Sequence, residues 1–159
     1  MKRILAAWLC VYLIACSPVS TAPAASNGLD SDAEMESAFQ QARDSLDIFI
    51  EKIGTPHPDR TYAAIKVRFF PPGDLSQDIW VDEVTYEEGV FRGSMGDDIP
   101  TLRLQAGEEI TVQEADIMDW MIVEDGKLIG GYTIRLAYDR MTPAEKERFL
   151  ESIDYSIED

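Results

Sequence analysis

The chain has 159 residues, 45% of them hydrophobic, with 30 acidic side chains against 14 basic ones, one histidine, two cysteines and a formal net charge of −16. That length supports one ordinary domain with a short appendage. The acidity excludes nucleic acid as a natural partner and disfavours lying flat on anionic lipid, because both need clustered Lys and Arg.

Lys2 and Arg3 form a positive n-region, and Ile4 to Ile14 is a continuous apolar run. The run falls short of the roughly 20 residues that span a bilayer, so it reads as an export signal. It ends in Leu13-Ile14-Ala15-Cys16, which matches the lipobox of bacterial lipoproteins. That pattern implies diacylglycerol on the Cys16 thiol, cleavage before Cys16 and a further acyl chain, of the palmitate kind, on the new amino group. The partner at this end is thus the membrane, reached through lipid. Ser17 follows the cysteine where an Asp would favour the inner membrane, so the expected location is the outer membrane, facing the periplasm. Ala22-Pro23-Ala24 and Ala24-Ala25 would instead serve an ordinary signal peptidase and give a secreted or periplasmic soluble protein.

The expected organisation is a signal peptide over residues 1–15, a Ser-, Pro- and Ala-rich tether over 16–30 and a single domain over 31–155. Loss of Lys2 and Arg3 takes the formal charge from −16 to −18. Acidity of this degree keeps a tethered domain soluble. Cys10 leaves with the signal and Cys16 is acylated, so neither a disulfide nor a thiolate metal site is expected.

Ser31-x-x-Glu34 reads as a capping box opening a helix. Met35, Phe39, Ala42, Leu46, Phe49, Ile50 and Ile53 give it one apolar face, and Gly54 and Pro56 close it. From Tyr62 the period becomes two: Ile65, Val67 and Phe69 alternate with Lys66 and Arg68 in a strand. Pro71-Pro72-Gly73 turns the chain. Ile79 to Tyr86 is a second strand, with Trp80, Asp82, Val84 and Tyr86 expected on one face. Glu87-Glu88-Gly89 leads into a strand over Val90 to Met95, and an irregular loop runs from Gly96 to Pro100. Glu109 to Val112 is a further short strand. Ile117 to Val123 and Leu128 to Tyr138 are expected to form a hairpin about Glu124-Asp125-Gly126-Lys127. Thr142-Pro143-x-Glu145 then starts a closing helix. The fold class expected is α+β: an N-terminal amphipathic helix, a curled antiparallel sheet or half-open barrel of about six short strands, and a short C-terminal helix.

Asp119-Trp120-Met121, Asp125-Gly126, Gly130-Gly131-Tyr132-Thr133 and Arg135 form the densest group of unusual residues. Paired glycines weaken a strand unless they admit a bulge, a ring or another backbone. Trp120 and Tyr132 are expected on opposite arms of one hairpin, with cross-strand packing either of the two rings or of Trp120 over Gly130 or Gly131, and Asp119 and Arg135 form a candidate ion pair. Asp119, Trp120, Gly130, Gly131, Tyr132 and Arg135 are therefore the candidate binding or fold-defining residues.

These residues resemble the signature of the bacterial domain of unknown function 2314 family, the YegJ-like proteins. Lys66-Val67-x-Phe69 with Gly73, Trp80-Val81-x-x-Val84, Phe91-x-Gly93, Gly107-Glu108 and Met141-Thr142-Pro143-Ala144-Glu145 extend the resemblance over residues 33–152. The family often has an Asn-x-Pro element where this chain has Gly96-Asp97-Asp98-Ile99-Pro100. The resemblance implies an α+β domain, often exported. It implies no catalytic residue.

The residues offer little catalytic chemistry of their own. His57, the sole histidine, lies between Pro56 and Pro58 and reads as an exposed linker residue. No nucleophile elbow, zinc-protease helix or phosphate-cradling glycine loop is present. Asp82 with Asp119 is a conceivable glycosidase pair, but chance pairs abound among so many acidic residues. Asp97-Asp98 and Asp116-x-x-Asp119 do not match a calcium loop and read as solvated carboxylates. No catalytic residue, metal ligand or cofactor is assigned. The expected function is a non-enzymatic envelope module that binds an envelope protein or cell-wall component. The alternatives are a small hydrolase or ligand-binding enzyme with an Asp/Arg groove, and an inhibitor or immunity-type protein with an acidic surface.

Overall fold

A computed structural model describes residues 28–157 apart from 72 and 74. The segment read as a signal peptide, Cys16 and residues 16–27 of the expected tether lie outside the described residues.

The amphipathic segment forms two helices, α1 (Gly28–Asp44) and α2 (Leu46–Gly54), where one was expected. Helix α1 starts ahead of the Ser31 box. The break falls at Ser45, whose φ of −115° and ψ of 13° leave the helical region. The Ser45 hydroxyl lies 2.7 Å from the Gln41 carbonyl, and the Trp120 indole N–H donates to the Ala42 carbonyl at 3.0 Å. Side chains inserted into the i→i−4 ladder of one turn are a known cause of helix breaks.

The strands are β1 (Arg60–Phe69), β2 (Gln77–Glu87), β3 (Val90–Met95), β4 (Glu109–Gln113), β5 (Ile117–Glu124) and β6 (Lys127–Gly130). They form one antiparallel sheet in the order β4-β3-β2-β1-β5-β6, open at both edges. Two helices follow, α3 (Tyr132–Arg140) and α4 (Pro143–Glu151). The fold is α+β, as the sequence led us to expect. The predicted box at Thr142 forms: its amide and hydroxyl donate to Glu145 at 2.8 and 2.6 Å.

Two further expectations are corrected. The segment Leu128 to Tyr138 is a strand only as far as Gly130, and from Tyr132 it is helical. Gly130 and Gly131 adopt φ of 68° and 64°, which turn the chain out of the sheet and into α3. Strand β2 also changes face midway. Glu83 sits at φ 53° and the pairing with β3 shifts between Asp82 and Thr85, so this is a bulge. Val81 on one side of the bulge and Val84 and Tyr86 on the other therefore reach the same core, while Trp80 faces away from it.

Helices α1 and α2 cover one face of the sheet. There Ala42, Leu46 and Phe49 pack against Ile65, Val67, Val81, Phe91, Trp120 and Ile122. On the opposite face, a smaller cluster of Ala64, Met121, Val123 and Leu128 is covered by Ile134 of α3 and by Tyr155 and Ile157 of the C-terminal segment. Of the two adjacent phenylalanines, Phe69 joins the main core and Phe70 is 78% exposed.

Candidate functional site

Strand β5 is buried along nearly its whole length, and Asp119 within it is 0% exposed. A buried carboxylate needs its lone pairs filled. Oδ1 accepts the Trp120 amide at 2.8 Å and the Tyr132 amide at 3.2 Å. Oδ2 accepts the Thr133 amide at 2.8 Å and the Thr133 hydroxyl at 2.7 Å. Asp119 thereby caps helix α3 from another element and sets a negative charge at the positive end of its dipole. Gly131, at the ordinary cap position, has no side chain to do this.

Lys66 extends the network. Its Nζ donates to the Thr133 hydroxyl at 2.7 Å and lies 4.9 Å from the centre of the Trp80 ring. Burial pushes the Lys66 ammonium below its ordinary value, against the charges of Asp119 and Asp78. Burial pushes the Asp119 carboxyl up, against the hydrogen bonds from Thr133 and Trp120 and the charge of Lys66. Lys66, Thr133 and Asp119 thus form a chain from the sheet into the helix terminus. Lys66 was legible as part of the family resemblance but not as a partner of Asp119, because β1 and β5 are remote in sequence.

Trp120 is fully enclosed between Phe49, at 5.3 Å, and Tyr132, which meets it edge-on at 6.0 Å. The Tyr132 hydroxyl lies 2.7 Å from that of Ser45. The expected stacking of Trp120 on a glycine is present at Gly130. Tyr132 meets Trp120 from the first turn of α3 and not from a hairpin arm. The expected Asp119–Arg135 ion pair is replaced by other bonds. Arg135 donates to the carbonyls of Leu128 at 2.7 Å and Gly130 at 2.9 Å, and Asp119 is held by α3.

The six candidate residues do not form one exposed face. Asp119 and Trp120 are interior, and Gly130 and Gly131 shape the turn. Tyr132 and Arg135 instead line a groove of about 430 Å³ between α1 and α3, with Glu34, Gln41 and Asp139 among its other walls. Arg140 and Glu34 form an ion pair at 2.5 Å between the same two helices.

Glu124, Asp82 and Asp98 have separate employments. Glu124 accepts Lys52 at 2.9 Å and Arg60 at 2.7 Å. Burial alone would raise its carboxyl, yet those two cations hold it below its ordinary value. Asp82 accepts the Tyr62 hydroxyl, and Asp98 accepts the Ala106 amide at 2.9 Å, closing the loop after β3. His57 is partly buried, not an exposed linker residue, and stands beside Asp59 and Asp125.

An open antiparallel sheet with two helices on one face and a helix capped by a carboxylate from the sheet defines a small α+β module. Its sequence over residues 32–155 matches the model of a family described as uncharacterised proteins conserved in bacteria, the domain of unknown function 2314. The chain belongs to this family. It is similar to the uncharacterised protein YegJ of Escherichia coli K12, with 34% identity over 108 residues, covering 67% of this chain and 68% of YegJ. It is also similar to a protein of Neisseria meningitidis serogroup B named as an ankyrin repeat protein, with 30% identity over 89 residues, covering 54% of this chain and 35% of that protein. No solved structure matches the chain.

Proposed function

We propose that this protein is a non-enzymatic accessory module of the bacterial envelope, held to the outer membrane by lipid on Cys16. Its α1–α3 groove receives an envelope protein or a cell-wall component. The observation that carries the reading is the employment of Asp119. The carboxylate that an Asp/Arg hydrolase would need has both oxygens bound to the first turn of α3. The groove that remains open carries Tyr132 and Arg135 opposite Glu34 and Gln41, a mixed lining suited to a polar partner. The anchor rests on the Lys2-Arg3 pair, the apolar run and Leu13-Ile14-Ala15-Cys16. Two or more acyl chains, at about 0.8 kcal/mol per buried CH₂, hold a protein at a membrane far better than one.

The test is in-cell crosslinking and capture of the full-length protein beside Gln41→Arg, an exposed substitution that fills the groove. A near-stoichiometric partner lost in Gln41→Arg supports the reading, and equal capture by both proteins overturns the groove. Cys16→Ala tests the anchor: it should leave the membrane fraction, and unchanged fractionation would sink the lipid. A second reading, an inhibitor or immunity-type protein, rests on the net charge of −16. It requires a basic partner whose binding weakens steeply with added salt.

A further inference from the structure

The turn after α2 and the turn between β5 and β6 meet at one corner of the sheet. In the first, the Arg60 amide donates to the His57 carbonyl at 3.3 Å, closing a turn over 57–60 with Pro58 at its second position. Proline fixes that turn and restricts the histidine before it. In the second, Asp125 and Gly126 take φ of 51° and 69°, the left-handed pair of a tight hairpin turn. The two turns are joined by the Asp125 amide, which donates to the Asp59 carbonyl at 3.2 Å.

This docking brings one imidazole and two carboxylates together. Ligand atoms of His57, Asp59 and Asp125 all lie within 4.8 Å of one another. His57 Nδ1 is sealed from solvent and has no hydrogen-bond partner among the described residues, where it is the one buried side-chain polar atom so placed. Such an orphan is costly, and it calls for a partner. The neighbouring Glu124 does not compete, since Lys52 and Arg60 occupy it.

We propose that His57, Asp59 and Asp125 form a binding site for a divalent transition-metal ion of the Zn²⁺ class. The mixed nitrogen and oxygen donor set suits such an ion, whereas Mg²⁺ and Ca²⁺ favour oxygen alone. Zinc takes both donor types at about 2.0–2.2 Å, so its ligands stand about 3–4 Å apart. The ligand atoms, within 4.8 Å of one another, are close to that spacing, and Asp59 and Asp125 are exposed side chains. Three protein ligands leave a fourth position for water or a partner's side chain. The bound ion pins the α2–β1 turn to the β5–β6 turn. It stands apart from the α1–α3 groove and does not depend on it.

The test uses the full-length chain, stripped with EDTA and titrated with ZnCl₂ by calorimetry and thermal denaturation. MgCl₂ and CaCl₂ at equal concentration report on non-specific attraction to an acidic surface. One Zn²⁺ per chain is expected, with a rise in melting temperature that neither hard ion gives. His57→Gln and Asp125→Asn should each weaken binding at least about tenfold, as loss of groups supporting a metal does. Asn tolerates the left-handed conformation at position 125, so the turn survives the exchange. A readout without mutation is also available. His57 is the sole histidine, so its ring protons are assigned at once in an NMR spectrum. They should shift with one equivalent of Zn²⁺ and broaden with Co²⁺. An unmoved imidazole, equal responses to Mg²⁺ and Zn²⁺, or undiminished Zn²⁺ binding in both variants would each overturn the site.

Discussion

The ring of Trp120 occupies the space that a side chain at Gly130 would need. A Cβ built on Gly130 would stand 2.5 Å from Cε3, 2.6 Å from Cζ3 and 2.6 Å from the Trp120 carbonyl oxygen. Neither a buried indole nor backbone can yield, and Gly130 also has φ of 68°. Gly130→Ala is therefore expected to destabilise the protein by about 3 kcal/mol, from overpacking and left-handed strain together. At Gly131 the nearest obstacle is a side chain alone, the branched end of Leu128 at 2.9 Å, and no backbone atom, so Gly131→Ala should cost less, about 2 kcal/mol. Urea denaturation of both variants checks the order, and equal losses would contradict it.

Asp119→Asn tests the remote cap. The amide keeps one acceptor oxygen but turns N–H donors towards a site that already holds four donors. A loss of about 2 kcal/mol is expected, since a buried donor is left unpaired and a cap is weakened. Wild-type stability in this variant would remove Asp119 from the cap and reopen its role as a binding residue.

The acid limb of the stability curve should report on Glu124. Its folded carboxyl lies below the ordinary value of 4.5, despite burial, because Lys52 and Arg60 bind the charged form. A lowered folded pKa contributes stability that is complete above the unfolded value and is lost as pH falls through the folded one. The difference in melting temperature between wild type and Glu124→Gln should thus be largest near neutrality and shrink below pH 4.5. A difference constant with pH would show that the ion pairs are not its source.

The β2–β3 turn can be improved. Glu88 and Gly89 have φ of 52° and 86° between the paired residues Glu87 and Val90. Asn suits the first position of such a turn far better than Glu. Glu88→Asn is expected to raise stability by about 0.5–1 kcal/mol, measured by thermal denaturation, with no change in fold. A drop in stability would place the turn in another class.

Strands β1, β3, β4 and β5 and the Thr142 box were legible because their signals are local: a period of two, glycine turns and a cap three residues from its partner. Helix α3 was not. Tyr132, Ile134, Leu136 and Tyr138 recur at every second position, the mark of a strand, and Gly131 offers no cap. The helix is decided by two left-handed glycines and by a carboxylate that lies 13 residues from Tyr132 in sequence. The faces of β2 were not legible for a similar reason. One left-handed residue, Glu83, reverses the alternation, and nothing in its side chain announces it. At the candidate site, the closeness of Trp120 to Gly130 was legible. The Lys66–Thr133–Asp119 chain and the meeting of His57 with Asp125 were not, since each joins strands or turns that only the sheet order brings together.

That sheet order has a kinetic consequence. β1 lies between β2, its neighbour in sequence, and β5, which returns only after the entire β2–β4 meander. The meander can zip by successive short closures, whereas the β1–β5 seam must bring together segments separated by three strands and their loops. Long closures are entropically dear before any contact repays them, and such pairings slow folding. The seam is thus expected to set the refolding rate. Trimming Ile65 or Ile122 on facing strands should retard folding, whereas trimming Val112 on the edge strand β4 should chiefly hasten unfolding.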